Sequence, residues 1–522
     1  MVSTGTRLRL AEHTGTIRYA GPVDGTTGSW LGIEWDDPTR GKHDGVKDGK
    51  RYFTCRIPNS GSFIRPTSKE IIYGSSFLPA LHAKYVEQLQ GPQESVLLGS
   101  SNGAIQVEAV DLDKIRAKFA NLGKLREVSL DTDFVSRYDG PEGSIRATCP
   151  NVRGLDLSTS LFSDWEPIVA ICAELPYLER LSLNRTRLTL AKDGLTSGSF
   201  ANLIELRLNA ALATWDDIRR ITSAMPALKT IEVGHNRIHQ LAGSLQGSTL
   251  ESINLDSNGL HDWNEICTTL MTCSSLDRVV LASNLITTIP LPPRGLTLGV
   301  RHLSLSHNRI ATWRDVDSLS LWCPSLQTLT MLGNPLFDDP EHARSARQMT
   351  IARIPSLQAL DAGAISSKER IDSELFYLSH IALHGPQSLE ARVAAHPRWT
   401  ALCEKHGRPD EPEITGHHQD TLSRRLIELN IFHSMTEPPV SAEGLTDRIT
   451  LRALPTMTLH ALRLKLCKTA KRRPGNTAVD IWLQMNDSEN SYAILAEDRD
   501  TQDLAWLGIE SGSNIVFALH DM

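Results

Sequence analysis

VRHLSLSHNRI, residues 300–310, sets apolar side chains at fixed intervals and places an asparagine two before the last of them. The same order, apolar-x-x-apolar-x-apolar-x-x-Asn-x-apolar, returns as LKTIEVGHNRI, LESINLDSNGL, LDRVVLASNLI and LQTLTMLGNPL. The five copies begin at residues 228, 250, 276, 300 and 326, a period of 22 to 26. Four weaker copies begin at Leu125, Val152, Leu178 and Leu203, where Asp133, Ser160, Thr186 and Ala211 fill the asparagine column. IPSLQALD (354–361) is a truncated last copy. A short strand of this kind cannot bury its apolar side alone, so neighbours must stack into one shared core. The asparagine amide is expected to satisfy backbone groups where the chain turns inward, which a hydrocarbon cannot do.

This pattern resembles the leucine-rich repeat and implies an α/β solenoid over residues 125–362. A second period lies on its outer side: Trp165, Trp215, Trp263 and Trp313 recur about every fifty residues, each followed three later by Ile or Val. That is helix spacing, so alternate repeats are expected to carry a helix with tryptophan in the core. The x positions of the strands predict a polar inner face of mixed sign, with Asp156, Arg180, Glu205, Arg207, Glu232, Asn254, Arg278 and His302. Such a surface either docks a protein or is a solvated sheet face. Arg180, Arg207, Glu232 and Arg278 are its candidate contacts.

The rest of the chain divides around this array. All 522 residues carry a formal charge of −7, which excludes a generally basic nucleic-acid binder. Residues 1–85 nevertheless hold twelve Lys/Arg against eight Asp/Glu, about +4, leaving about −11 for the remainder. A basic first module suits an acidic partner. No apolar leader and no eighteen-residue apolar run is present, so neither a signal peptide nor a membrane span is expected. Eight scattered cysteines without a CxxC pair suit reduced, buried thiols rather than a disulfide frame or zinc site. No metal or cofactor is expected, and neighbouring His417 and His418 lack partners at ligand spacing.

Residues 86–124 read as a linker and N-terminal cap of the array. Residues 363–420 read as a helical cap, ISSKERIDSELFYLSHIAL, followed by the polar linker RPDEPEITGHHQD. From 421 to 522 the order is LIELNIFH and RITLRALP as a strand pair, TLHALRLKLCKTAKR as a helix, then the strands DIWLQM and SNIVFALH. That order resembles a ubiquitin-like β-grasp domain. Without a terminal Gly-Gly it is expected to be a built-in module and not a conjugated one.

GKHDG (41–45) invites a nucleotide-loop reading, which its spacing rejects. Such a loop needs four residues between glycine and Gly-Lys, then Ser or Thr for magnesium. Residue 36, five before Gly41, is aspartate, and Gly45-VKD-Gly49-Lys50 has three spacers before Arg51. GTIRY (15–19), WLGIEWDDP (30–38), GKHDG, YF (52–53) and GSFIRP (61–66) instead resemble the CAP-Gly domain, a small β-barrel spanning residues 1–85. The resemblance implies a site for an acidic, aromatic C-terminal tail of the Glu-Glu-Tyr type, as on α-tubulin. It carries Trp30, Gly41, Lys42, His43, Asp44, Gly45, Phe53, Phe63 and Arg65 into that site. Glycines admit a close peptide backbone, lysine can bond a carboxylate, and exposed rings can receive a terminal tyrosine. Trp30, Phe53 and Phe63 could equally be barrel core. His43 stands where asparagine is usual, and with an ordinary pKa near 6.5 it is expected to make tail binding pH-sensitive.

The order barrel, repeats, ubiquitin-like domain resembles the tubulin-specific chaperone E family along the whole chain. The resemblance implies a cytoplasmic, cytoskeleton-associated, multidomain chaperone and not an enzyme. It would bind α-tubulin, cooperate with tubulin-folding cofactors B, C and D in assembling the αβ dimer, and take dimers apart; a proteasome contact through the ubiquitin-like domain is a further expectation. No nucleic-acid or membrane partner is implied. Two rivals are a tail-recognising microtubule adaptor without chaperone activity and a ubiquitin-pathway ligase using Cys403 with His406.

Overall fold

The computed structural model describes residues 3–87, 95–98, 105–108, 121–192, 194–195, 197–245, 249–340, 343–409, 426–434, 448–470, 477–485 and 491–521. Residues 1–411 form one compact unit and 412–522 a second. His417, His418 and most of the expected linkers lie outside the described residues.

The chain opens with a five-stranded antiparallel sheet in which Ser29–Trp35 lies between Gly61–Ile64 and His13–Pro22, followed by Arg7–Leu10 and Ile71–Ile72. Leu8, Ile17, Leu31, Ile33 and Trp35 point to one side and close its core. The register shifts between Ile17 and Tyr19, so the long strand His13–Pro22 bends and can curl the sheet.

The repeats form a sheet of ten parallel three- or two-residue strands, from Glu127–Ser129 to Ala359–Leu360, finished by the antiparallel Gly363–Ala364. The middle residue of each three-residue strand is buried, and one apolar cluster runs the length of the array. Each fully buried Leu or Ile contributes about 1.5–3 kcal/mol. Helices Glu166–Ala173, Trp215–Ser223, Trp263–Leu270 and Trp313–Trp322 follow alternate strands, which is the fifty-residue period. Trp165, Trp215 and Trp263 are buried, and Trp313 is half-buried.

The asparagine column does the work expected of it. Asn284 donates through Nδ2 to the carbonyls of Leu255, Leu281 and Ala282 and accepts the Leu260 amide. Asn236, Asn258, Asn308 and Asn334 repeat the pattern, each bonding its own turn and the turn before. In a weak copy Thr186 donates to Leu157 and accepts from Ser160, fewer bonds from a shorter side chain.

Two features depart from the sequence reading. Residue 85 was expected to end the first module, but Phe77, Ala80, Leu81 and Tyr85 are buried in the array's cluster. Beyond helix Ser367–His384, and ahead of the polar stretch read as linker, the region 363–420 holds two more helices, Leu389–Ala395 and Trp399–His406, that the sequence reading did not single out. Trp399 and Leu402 pack with Tyr377, Leu378 and Ile381 in a separate small core.

The second unit is a mixed sheet in the order Ile449–Ala453, Ile427–His433, Asn514–Asp521, Thr477–Gln484, Tyr492–Ile494. Its first and last strands in sequence run parallel side by side, and helix Leu459–Thr469 buries Leu459, Leu462 and Leu466 on one face. This is the β-grasp order. Among the described residues no helix is long and apolar enough to cross a membrane.

Candidate functional site

The barrel carries an open cleft of about 580 Å³, lined by Val23, Trp30, Arg40, Lys42, His43, Lys47, Ser62, Phe63 and Ile64. The loop 41–45 makes one wall. Its two glycines are required by close approach: a Cβ on Gly41 would lie 2.1 Å from the Asn59 carbonyl oxygen, and one on Gly45 2.1 Å from that of Phe53. Gly45 also has φ +77°, which disfavours any other residue. The Lys42 amide donates to the Gly61 carbonyl at 2.7 Å, and the Gly61 amide to the His43 carbonyl at 2.9 Å. Asp44 accepts the Cys55 amide at 3.0 Å and Arg51 Nη1 at 2.9 Å. The loop is therefore stitched down on both sides, leaving Lys42 and His43 on the cleft.

Aromatic rings make the floor. Phe63 packs against His43, Phe53 and Tyr52 with centroids 5.1, 5.4 and 5.6 Å apart, and against Tyr19 at 6.4 Å. Trp30 donates through Nε1 to Thr26 Oγ1 at 2.8 Å and carries the Arg65 guanidinium 3.7 Å from its ring centroid. Arg65 in turn donates to the Thr27 carbonyl, so it fixes the indole. Arg40 lies over the Trp35 ring at 4.2 Å. Neither Lys42 nor Lys47 has an ion-pair partner among the described residues. Two uncommitted ammonium groups beside a ring-lined cleft suit a ligand carrying both carboxylates and an aromatic ring.

The likeness to known proteins follows the same residues. The CAP-Gly domain model matches residues 4–69. Tubulin-specific chaperone E of Bos taurus is 32% identical over 486 residues, covering 88% of this chain and 90% of that protein. The chain belongs to the tubulin-specific chaperone E family. The Homo sapiens relative is 29% identical with 97% of each chain covered, and tubulin-folding cofactor E of Arabidopsis thaliana is 27% identical, covering 98% of this chain and 96% of its own.

In this member of the tubulin-specific chaperone E family the cleft gathers four of the nine expected tail residues, Trp30, Lys42, His43 and Phe63. Gly41, Asp44 and Gly45 shape the loop, and Arg65 backs Trp30. Phe53 is 6% exposed and lies beneath His43 and Phe63, so it is core. Arg40, Lys47 and Tyr52 were not singled out as site residues. Tyr52 was in a matched block, but nothing local showed that the two basic residues face the same cleft.

His43 departs from its expected behaviour. Its Nδ1 accepts the Gly45 amide at 3.0 Å, which assigns the proton to Nε2. Burial against the phenyl rings lowers its pKa below 6.5; Asp44 opposes the drop and Lys42 adds to it. The ring is thus a neutral Nε2–H donor at neutral pH.

On the array, Arg180 is paired with Glu127 and with Glu179 at 3.6 Å. Arg207 bonds Glu205 at 2.6 Å and Glu232 at 3.4 Å, and Asn209 also donates to Glu232 at 2.9 Å. Asp156, expected on the open face, is 4% exposed and accepts the Ser158 amide. Arg278 is exposed and has no ion pair among the described residues.

Proposed function

We propose that the chain grips α-tubulin at two places: the acidic C-terminal tail in the barrel cleft and the folded body on the array. The cleft carries this reading, because Lys42 and Lys47 are uncommitted beside the Trp30, His43 and Phe63 rings. Each charge-assisted bond to a tail carboxylate contributes roughly 1.5–3 kcal/mol. The array supplies the area that a tail cannot: a folded partner needs on the order of 1,600 Å² of total buried surface. Holding both at once makes the second contact intramolecular, so two modest affinities give a tight complex. Dimer separation follows where the gripped α-subunit excludes β-tubulin, and assembly is the reverse passage. The chain acts as a binding cofactor without catalysis of its own, in the cytoplasm alongside cofactors B, C and D. The module boundary between barrel and array falls near residue 74, ahead of the Phe77–Tyr85 segment that packs with the repeats. A proteasome contact would use the β-grasp module.

The test is calorimetry of the full chain with an acidic peptide ending Glu-Glu-Tyr and with the same peptide lacking the tyrosine. Binding that weakens on removal of the tyrosine supports the reading. Equal binding of both peptides removes the ring-lined cleft from it.

A further inference from the structure

Arg187 follows the asparagine column of an early repeat, yet its side chain is spent on the barrel. Its Nη2 donates to the Asp36 carbonyl at 2.8 Å and its Nη1 to the Trp35 carbonyl at 3.4 Å. Its Nε lies 3.2 Å from Asp36 Oδ1, and its Nη1 3.7 Å from Glu34 Oε1. Arg187 is 5% exposed and Glu34 fully buried. The barrel side of the joint is itself built: Arg7 and Thr14 hold the Asp36 carboxylate at 2.9 and 2.8 Å, and Arg18 holds Glu34 at 2.6 Å. Burial pushes the Asp36 carboxyl up, but Arg7, Arg187 and Thr14 outweigh it and bring it down to about 2.

The place of this contact matters more than its strength. Trp35 ends the strand that begins with Ser29 and Trp30, Asp36 follows it, and Asp36 lies five residues before Gly41. Arg187 therefore grips the chain, in sequence, between Trp30 and the loop 41–45, which both line the cleft. The backbone joins barrel to array once, at Gly74–Ser76, where Ser75 and Ser76 pair with Val135 and Arg137. Beside that joint Arg9 lies over the half-buried Phe134 ring, 4.2 Å from its centroid; Arg187 adds a buried contact away from it, between residues 151 apart in sequence, that restrains swivelling about the joint. A buried forked guanidinium on two carbonyls and two carboxylates suits that task, because it is geometrically specific.

We propose that Arg187 is a positioning residue: it holds the barrel in one orientation on the array, so that cleft and array meet one tubulin subunit as a single preorganised body. The proposal rests on the two-point grip above. Preorganisation of this kind raises affinity by removing an ordering cost, not by adding contacts.

The experiment uses the full chain with Cys403→Ser and spin labels on Glu12→Cys and Ser274→Cys, both exposed positions. Pulsed electron resonance should give one narrow distance, and Arg187→Met should broaden it. Affinity for the Glu-Glu-Tyr peptide should stay within about twofold, because Arg7 and Thr14 still hold Asp36, while separation of αβ-tubulin should slow about tenfold. Arg187→Lys keeps the charge but loses the fork; it should fall between the two and serves if the methionine variant does not fold. An unchanged distance distribution overturns the proposal, as does a broadened one with separation at the wild-type rate. If the wild-type chain fails to bind the peptide, the reading of the cleft falls, and the distance measurement still judges Arg187.

Discussion

The cleft of the barrel and the inner face of the array both carry basic side chains, but only the cleft leaves its lysines uncommitted. Lys42 and Lys47 stand beside rings without an ion pair among the described residues. Arg180 and Arg207 are consumed by Glu127, Glu179, Glu205 and Glu232 within the array, Glu127 reaching Arg180 from two strands away. A charge already answered within the sheet stabilises the sheet and attracts little; an unanswered one is available to a ligand. On the function proposed above, the difference gives recognition of an acidic segment to the barrel. It leaves the array to hold a partner by area and shape, with Arg278 as its open charge.

The largest expected effect would erase one side of the comparison. Gly45→Val puts a branched side chain at φ +77° and against the Phe53 carbonyl, which the loop cannot absorb. The barrel should lose more than about 3 kcal/mol of stability and all measurable tail binding. Calorimetry with wild-type affinity would show that the loop tolerates a Cβ.

Lys42→Ala should weaken peptide binding by about 1–3 kcal/mol and leave the melting temperature alone. Arg207→Glu should do the reverse. It sets a third acid between Glu205 and Glu232, so the array should lose roughly 1 kcal/mol by urea denaturation with peptide affinity intact. If Arg207→Glu leaves stability unchanged, the pairing seen within the sheet has no weight and the contrast with the cleft disappears.

The smallest effect concerns pH. Because the fold half-buries His43 against the rings, its pKa lies below the ordinary 6.5. Tail affinity should be flat between about pH 7 and about pH 8 and rise only in more acid solution, where a cationic ring meets acidic ligand. Barrel stability should move the other way. The unfolded chain takes the proton more readily, so stability present above 6.5 is lost as pH falls below it. His43→Asn should flatten both trends; a tail affinity that changes steeply around neutrality would contradict the half-buried, neutral ring.

What the sequence revealed follows from how far apart the interacting residues stand. The repeats were legible because each strand needs only its neighbour, so the asparagine column and the tryptophan period are written locally. The loop 41–45 was legible as a motif, and its backbone geometry explains both glycines. Whether Asp44 and Phe53 face a ligand or the barrel was open in the sequence, since their inward contacts with Cys55, Arg51 and the ring cluster are set by the fold. Helices Leu389–Ala395 and Trp399–His406 escaped because seven or eight residues hold too few turns to show a period. The pairing of Arg207 with Glu232 was within reach, for the two occupy equivalent positions of adjacent repeats. Arg187 was not: nothing near it in sequence points to Asp36. The lowered pKa of His43 likewise depends on burial that no spacing encodes.

The central claim is that cleft and array together hold one α-subunit apart from its partner. Size-exclusion chromatography of the full chain with native αβ-tubulin tests it most directly. The account predicts that α-tubulin alone co-elutes with the chain, and that Lys42→Ala combined with Arg278→Glu abolishes the complex. Co-elution of the intact αβ dimer, or of nothing once the α-tail is trimmed while Arg278→Glu has no effect, would contradict it and leave a tail-binding adaptor.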